Sequence, residues 1–358
     1  MTTHYFAYGS NLNTQDWHRW CRERGFPVGL LRPLFPAFLP DRGLAFTVHS
    51  RTREGGVLDV GPCKGHLVEG MVFEVADGGW EALDRKEGAP SFYRSLETEA
   101  LTLDGRAHAV RTYEVLPQLR QTFVCPSEAY LKVVRDGYKE FSISSRHLDT
   151  AAKCKGTDSG LANLFVYGTL MRRESRFPAL ASQVKVALLA EVPGRLVDLG
   201  DYPGMLSDPS GQGWVHGDFL KLSKLGILDD LDRIEGFPGF SRPGGLYRRR
   251  ILEVGMKDGR VRPAWVYLYQ GVDGNLIPSG DWRSHRGQGE AFVARLSQGH
   301  VLGRESKVLD GLTSRWTQSV PEAAEGANVQ TWIAGALKDG SLSERQLAQA
   351  SGMWRAGV

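Results

Sequence analysis

The sequence holds little that would announce a metal, a nucleotide or a membrane. Only four of its 358 residues are cysteine, and Cys21, Cys63, Cys125 and Cys154 lie too far apart for a CxxC-type zinc or redox pair. Its nine histidines show no metal-ligand spacing and no HExxH. GxGxxG and the phosphate-binding GxxxxGK motif are both missing. This reading predicts no cofactor and no metal. No apolar run approaches the ~18 residues needed to span a bilayer. The apolar stretch from Leu30 to Pro40 is broken by Arg32, Pro33 and Pro36. Met1-Thr2-Thr3-His4 leads straight into an apolar segment, without the charged, apolar and small-residue regions of a signal peptide. The expectation is a cytoplasmic protein with reduced thiols and no membrane partner.

A strong charge of one sign is also missing. Lys and Arg number 44 against 41 Asp and Glu, for a net charge of +3. The densest basic clusters, Arg172-Arg173 and Arg248-Arg249-Arg250, are short. They read as solvated element ends rather than a phosphate-binding stripe, so no nucleic-acid partner is expected. What is present is ordinary globular material, 41% apolar and 24% charged, in a chain long enough for two domains and an appendage.

The informative feature is an internal repeat. Tyr5-Phe6-Ala7-Tyr8-Gly9-Ser10-Asn11-Leu12 resembles Leu164-Phe165-Val166-Tyr167-Gly168-Thr169-Leu170-Met171, each an apolar strand-like run into Tyr-Gly-Ser/Thr. Leu83-Asp84-Arg85-Lys86-Glu87-Gly88-Ala89-Pro90-Ser91-Phe92 matches Leu231-Asp232-Arg233-Ile234-Glu235-Gly236-Phe237-Pro238-Gly239-Phe240 at seven of ten positions. The order of parts repeats as well. A Gly opens an alternating strand before each Leu-Asp-Arg segment, at Gly70 and Gly217. An Asp-Gly hairpin tip follows each, at Asp104-Gly105 and Asp258-Gly259, and leads into runs ending near Tyr113 and Tyr267.

The chain is thus expected to hold two copies of one strand-dominated unit with a short helix at each Leu-Asp-Arg segment. The first copy, over residues 1–150, should end in a helix from Pro126 to about Arg146, with a linker from Ala151 to Asn163. The second, over 163–285, should close near Gly280-Asp281-Trp282. Residues 287–358 carry seven basic and seven acidic side chains and are helix-biased, a C-terminal helical extension.

Glu87 and Glu235 are the candidate catalytic groups. Each ends a helix-like stretch just before a Gly, where the backbone turns, and each is kept while its neighbour differs, Lys86 against Ile234. A lone Glu before Gly is usually a solvated loop charge, and a shared capping role or pairing with Arg85 and Arg233 would also account for the repeat. The Tyr-Gly loops are the second candidates, since Gly lets backbone N–H groups converge on an anionic oxygen; the plain alternative is a β-turn. Ser10 and Thr169 are disfavoured as nucleophiles: there is no GxSxG elbow, and no His repeats in register as a base.

Taken in order, these segments resemble the γ-glutamylcyclotransferase superfamily, twice. Residues 5–150 look like the γ-glutamylcyclotransferase branch, through Phe6 to Leu12, Gly70 to Phe73, Leu83 to Gly88 and Pro126-Ser127-Glu128-Ala129-Tyr130. Residues 163–283 look like the γ-glutamylamine cyclotransferase (AIG2-like) branch, through Phe165 to Leu170, Leu199-Gly200-Asp201-Tyr202-Pro203-Gly204 and Leu231 to Gly236. The resemblance implies an α+β fold built from two tandem small mixed β-barrel domains. It implies that Glu87 and Glu235 match the catalytic glutamate. It implies that Tyr8, Gly9, Ser10, Asn11 and Leu12, with Tyr130, and in the second copy Tyr167, Gly168, Thr169 and Leu170, bind a γ-glutamyl amide. Tyr130 has no counterpart in the second copy.

The implied reaction is intramolecular aminolysis, in which the substrate's α-amine attacks its own γ-carbonyl and releases 5-oxoproline and a free amine. Well-oriented ring closures reach effective molarities of ~10⁵ M or more. An ordinary Glu taking a proton from an α-ammonium faces a gap of ~5 kcal/mol, which burial of the carboxyl would narrow. Two other readings stay open: a non-catalytic γ-glutamyl metabolite-binding module in one or both halves, and an amidase that releases free glutamate.

Overall fold

Alternating apolar side chains in the first half of the chain give five strands that close on themselves. In a computed structural model, which describes residues 4–154, 159–208, 211–240, 242–257, 259–272 and 274–287, they are β1 (His4–Ala7), β2 (Leu31–Ser50), β3 (Gly55–Val75), β4 (Tyr93–Leu101) and β5 (Ala107–Val115). Their order around the barrel is β1-β3-β2-β4-β5. β1 sits antiparallel to β3, with Phe6 opposite Val72, and parallel to β5, with Tyr5 opposite Arg111. β2 and β3 form a long hairpin whose register shifts at Pro33/Phe35 and Pro40/Arg42, where prolines cannot continue the ladder. The interior is filled by Phe6, Leu39, Val60, Val72, Leu83 and Val115, all essentially without exposure. Each such side chain contributes about 1.5–3 kcal/mol.

Helices frame this barrel. α1 (Thr14–Arg24) is capped by Asn13, whose side chain accepts from the Asp16 N–H, and stops at Gly25 in the left-handed region. α2 (Gly79–Glu87) stops at Gly88, φ 63°. α3 covers Glu128–Glu140 and α4 Arg146–Ala152. The expected single helix from Pro126 to Arg146 is therefore shorter and is followed by a second. Pro126 lies before the cap, because the Ser127 hydroxyl takes that role by accepting from the Tyr130 N–H. At the other end Ser142 adopts φ 57° and the Ile143 N–H turns back to Tyr138 O, which ends the helical ladder. The first residues of the expected linker belong to α4.

The second set of elements comprises β6 (Asn163–Val166), α5 (Pro178–Ala181), β7 (Val184–Pro193), β8 (Arg195–Asp198), β9 (Pro203–Leu206), β10 (Trp214–Leu222), α6 (Ile227–Ile234), β11 (Tyr247–Met256), β12 (Val261–Tyr269), β13 (Asn275–Ile277) and α7 (Trp282–His285). Strands β10-β6-β12-β11-β7 form a second closed barrel, and β13-β8-β9 a small sheet. By compactness the chain falls into two units, one of residues up to Ala162 with Leu222–Leu252 and Trp265–Tyr267, the other of the remainder.

The repeat seen in the sequence has a steric basis. A Cβ on Gly70 would stand 2.3 Å from the Ala7 carbonyl oxygen, and one on Gly217 2.2 Å from that of Val166. In both copies only glycine lets the strand before the helix approach the strand that carries the Tyr-Gly loop. The fold is α+β, with two tandem barrels. The expected helical extension lies outside the described residues from 288 onward, as does Asp258 of the second hairpin tip.

Candidate active site

Glu87 is the last residue of α2, so its direction is set by whatever holds that helix end. Asp84, one turn earlier, accepts from the Tyr113 hydroxyl at 2.5 Å and from Arg111 at 2.6 Å, which pins the turn to β5. Gly88 then reverses the chain. The Glu87 side chain meets the turn after β1, where Asn11 Nδ2 donates to its Oε1 at 2.7 Å. The same Nδ2 also donates to the Tyr5 hydroxyl at 2.9 Å. Asn11 Oδ1 is buried and has no hydrogen-bond partner among the described residues.

The residue Glu87 is partly exposed, but its carboxyl is walled in by protein. Burial raises its pKa above the usual glutamate value, and Lys86, the Asn11 hydrogen bond and Arg53 pull back without cancelling the rise. Around it stand phenols held neutral by burial. Tyr5, Tyr8 and Tyr93 are pushed well above the usual tyrosine range, and Tyr130 to about 12.

Each of the other expected residues of the first copy has a definite place. Ser10, Asn11 and Leu12 form a 3₁₀ turn behind Gly9, closed by the Leu12 N–H on Gly9 O at 3.0 Å. The Tyr8 hydroxyl donates to Tyr113 O at 2.7 Å and its carbonyl accepts from Tyr138, so Tyr8 is tied into the barrel. Leu12 is wholly buried core. The Tyr130 hydroxyl accepts from the Leu58 N–H, and Ser10 hydrogen-bonds to it. Asn11 and Glu87 thus touch directly, and Ser10 and Tyr130 touch, while Tyr8 and Leu12 point their side chains into structure.

The second copy repeats the scaffold with different lining. Asp232 accepts from the Tyr267 hydroxyl at 2.6 Å, as Asp84 does from Tyr113. Glu235 caps α6 and Gly236 takes φ 63°, the angle found at Gly88. Glu235 belongs to the first compact unit and Tyr167 to Leu170 to the second. The Tyr167 hydroxyl accepts from the Met205 N–H, and the Met171 N–H closes the turn on Gly168 O at 2.9 Å, matching Leu12 on Gly9. A Cβ on Gly168 would lie 2.7 Å from the Pro203 ring, which ties the Tyr-Gly loop to the Tyr202-Pro203-Gly204 segment. Leu170 occupies the place of Asn11 and brings no amide.

The sequence reading missed Asp84 and Tyr113, with their counterparts Asp232 and Tyr267. Their signal was on view: both pairs recur at matching places. Tyr5, Asp16, Arg53 and Lys86 left no such trace, since they are not repeated. Among the described residues no group of three or more His, Cys, Asp or Glu side chains could hold a metal ion, and no helix is long and apolar enough to cross a membrane.

A family model described as gamma-glutamyl cyclotransferase, AIG2-like, matches residues 5–132 and again 164–284. The chain belongs to this family and is an enzyme of the γ-glutamylcyclotransferase kind. It is 31% identical over 129 residues to the gamma-L-glutamyl-butirosin B gamma-glutamyl cyclotransferase of Niallia circulans, covering 35% of this chain and 78% of that protein. It is 32% identical over 138 residues to the gamma-glutamylcyclotransferase of Bos taurus, covering 38% and 70%. A solved structure titled gamma-glutamyl cyclotransferase aligns at 26% identity and a TM-score of 0.36, over 44% of this chain and 89% of that one.

Proposed function

We propose that the first half of the chain, residues 1–150, cyclises a γ-glutamyl amide to 5-oxoproline and a free amine, with Glu87 as the proton shuttle. The observation that carries this reading is the desolvated Glu87 carboxyl bonded to Asn11 of the Tyr-Gly-Ser-Asn turn. A carboxylate with a raised pKa lies closer to the α-amine in basicity, which lowers the cost of the first proton transfer.

Glu87 takes one proton from the substrate's α-ammonium, and the freed amine attacks the γ-carbonyl carbon. The bond to the departing nitrogen breaks as Glu87 returns that proton to it. The second proton, shed by the ring nitrogen as the lactam forms, follows the same route. The amine leaves as an ammonium and Glu87 ends unprotonated. Asn11 Oδ1, buried and unpartnered, suits an ammonium N–H. The N–H of Leu12 is spent on its turn, so oxyanion donors would come from Gly9, Ser10 or Asn11. Losing one such donor typically costs ~3–4 kcal/mol.

For the second half, residues 163–285, Glu235 is the corresponding candidate base, and Tyr167, Gly168, Thr169 and Leu170 are the corresponding loop. One observation favours a binding role there instead. Leu170 and Ile234 stand where Asn11 and Lys86 do, so those two positions bring neither an amide nor an ammonium. The substrate is a small molecule in either case, handled without a cofactor in a cytoplasmic setting. The test is product identity. Purified protein is incubated with γ-glutamyl amides, γ-L-glutamyl-butirosin B included, and the products are identified by mass spectrometry. 5-Oxoproline supports cyclisation, whereas free glutamate would assign water as the nucleophile.

A further inference from the structure

Behind Glu87 lies a charge cluster that the proposed chemistry does not use. Asp16, on the buried face of α1 and 4% exposed, accepts from Arg53 Nη2 at 2.7 Å and Nη1 at 3.2 Å. It accepts from Lys86 Nζ at 3.2 Å and is also paired with Arg19, whose side chain is largely exposed. Lys86 is nearly buried and lies over the rings of Trp17 and Trp20, at 5.3 and 5.6 Å. Arg53 lies over the ring of Tyr130, at 5.6 Å. Both cations act on Glu87 electrostatically, yet the hydrogen bonds they make go to Asp16, and Glu87 is bonded to Asn11.

We propose that Asp16 is a positioning residue of this site: by holding Lys86 and Arg53 it keeps both cations from pairing with Glu87, and so leaves that carboxylate on Asn11 and able to accept a proton. The inference rests on the reading of Glu87 as the base. Glu87 and Asp16 compete for the same two cations. The nearly buried Lys86 ammonium and the half-buried Arg53 guanidinium need an anion, because unpaired charge away from water is unfavourable. With Asp16 in place they have one at hydrogen-bond distance. Without it Glu87 is a carboxylate that still acts on both cations, and a carboxylate paired to a cation is a weak base. The other groups facing Glu87 are the phenols of Tyr5, Tyr8, Tyr93, Tyr113 and Tyr130, which burial keeps protonated at neutral pH. They supply no competing anion.

The experiment is a carboxyl NMR titration of full-length protein carrying labelled glutamate, the Glu87 signal being assigned by its loss in Glu87→Gln. In Asp16→Asn the Glu87 midpoint moves to lower pH, and in Asp16→Asn/Lys86→Met it moves back up. The acid limb of kcat/KM follows the same order, with a fall of about three- to tenfold in the plateau for the single variant. An unchanged or raised midpoint in Asp16→Asn overturns the proposal, as does a double variant that fails to recover. If Asp16→Asn does not fold, Asp16→Glu, which keeps the anion but displaces it, decides: the Glu87 midpoint moves to lower pH if Asp16 holds the cations in place, and an unmoved midpoint overturns the idea. A wild type that makes no 5-oxoproline would defeat the reading of Glu87 as base, while the titration would still report whether Asp16 governs its charge.

Discussion

Asn11 and Glu87 lie 76 residues apart in the chain, and the Asn11 amide donates to the Glu87 carboxylate at 2.7 Å. One comes from the turn that ends the first strand and the other from the end of the second helix. The barrel brings the two ends together because β1 pairs with both β3 and β5. Asp84 and Tyr113 then fasten the helix to β5.

Asn11→Leu copies the residue found at Leu170. It removes a hydrogen bond that favours the charged carboxylate, so the Glu87 pKa, already raised by burial, rises further. The acid limb of kcat/KM should move to higher pH. A limb that stays or moves down would mean that Asn11 does not stabilise the carboxylate.

Burial of Glu87 also predicts a pH-dependent effect on stability. A group whose folded pKa is raised contributes stability that is fully present below its unfolded pKa and is lost as pH rises through the folded one. Above the ordinary glutamate value of 4.5 the wild type should lose this contribution, while Glu87→Gln should not. The Tm advantage of Glu87→Gln should therefore grow from acid to neutral pH in thermal unfolding. A constant difference would show that Glu87 titrates alike in both states.

Tyr113→Phe and Tyr267→Phe each remove a hydroxyl from the aspartate that fastens a helix end. Each should lower stability by about 1 kcal/mol, measured by urea unfolding. Tyr113→Phe should also reduce turnover in the first site, since it loosens the turn that aims Glu87.

Gly70→Ala and Gly217→Ala force a methyl against a strand carbonyl. Backbone cannot move aside as a side-chain tip can, so about 2 kcal/mol or more should be lost at each. Equal losses would support the view that the two copies share one packing solution.

Much of the architecture was legible in the sequence because it is written twice. The Tyr-Gly turns, the glycines before each Leu-Asp-Arg segment and the glutamates at the helix ends repeat in order, and they fall at corresponding places in the two copies. The limits of the helix near Pro126 were harder to read, because helical spacing continues through residues whose cap and left-handed turn decide the ends. Asn11 and Tyr130 beside Glu87 were legible through the family resemblance, but the charged groups around it were not. Asp16, Arg53, Tyr5 and Lys86 come from four separate segments and converge only when the barrel closes. Each occurs in one copy alone, so no internal repeat marks them.

The most direct test compares 5-oxoproline release by the wild type, Glu87→Gln and Glu235→Gln across a panel of γ-glutamyl amides. Gln keeps the shape and the Asn11 contact but cannot carry the proton. Loss of a general base typically lowers the rate by about 10²–10⁴-fold. The account predicts a loss of that size for Glu87→Gln on any amide processed by the first site, with Glu235→Gln leaving that activity in place. Wild-type rates in Glu87→Gln would contradict it.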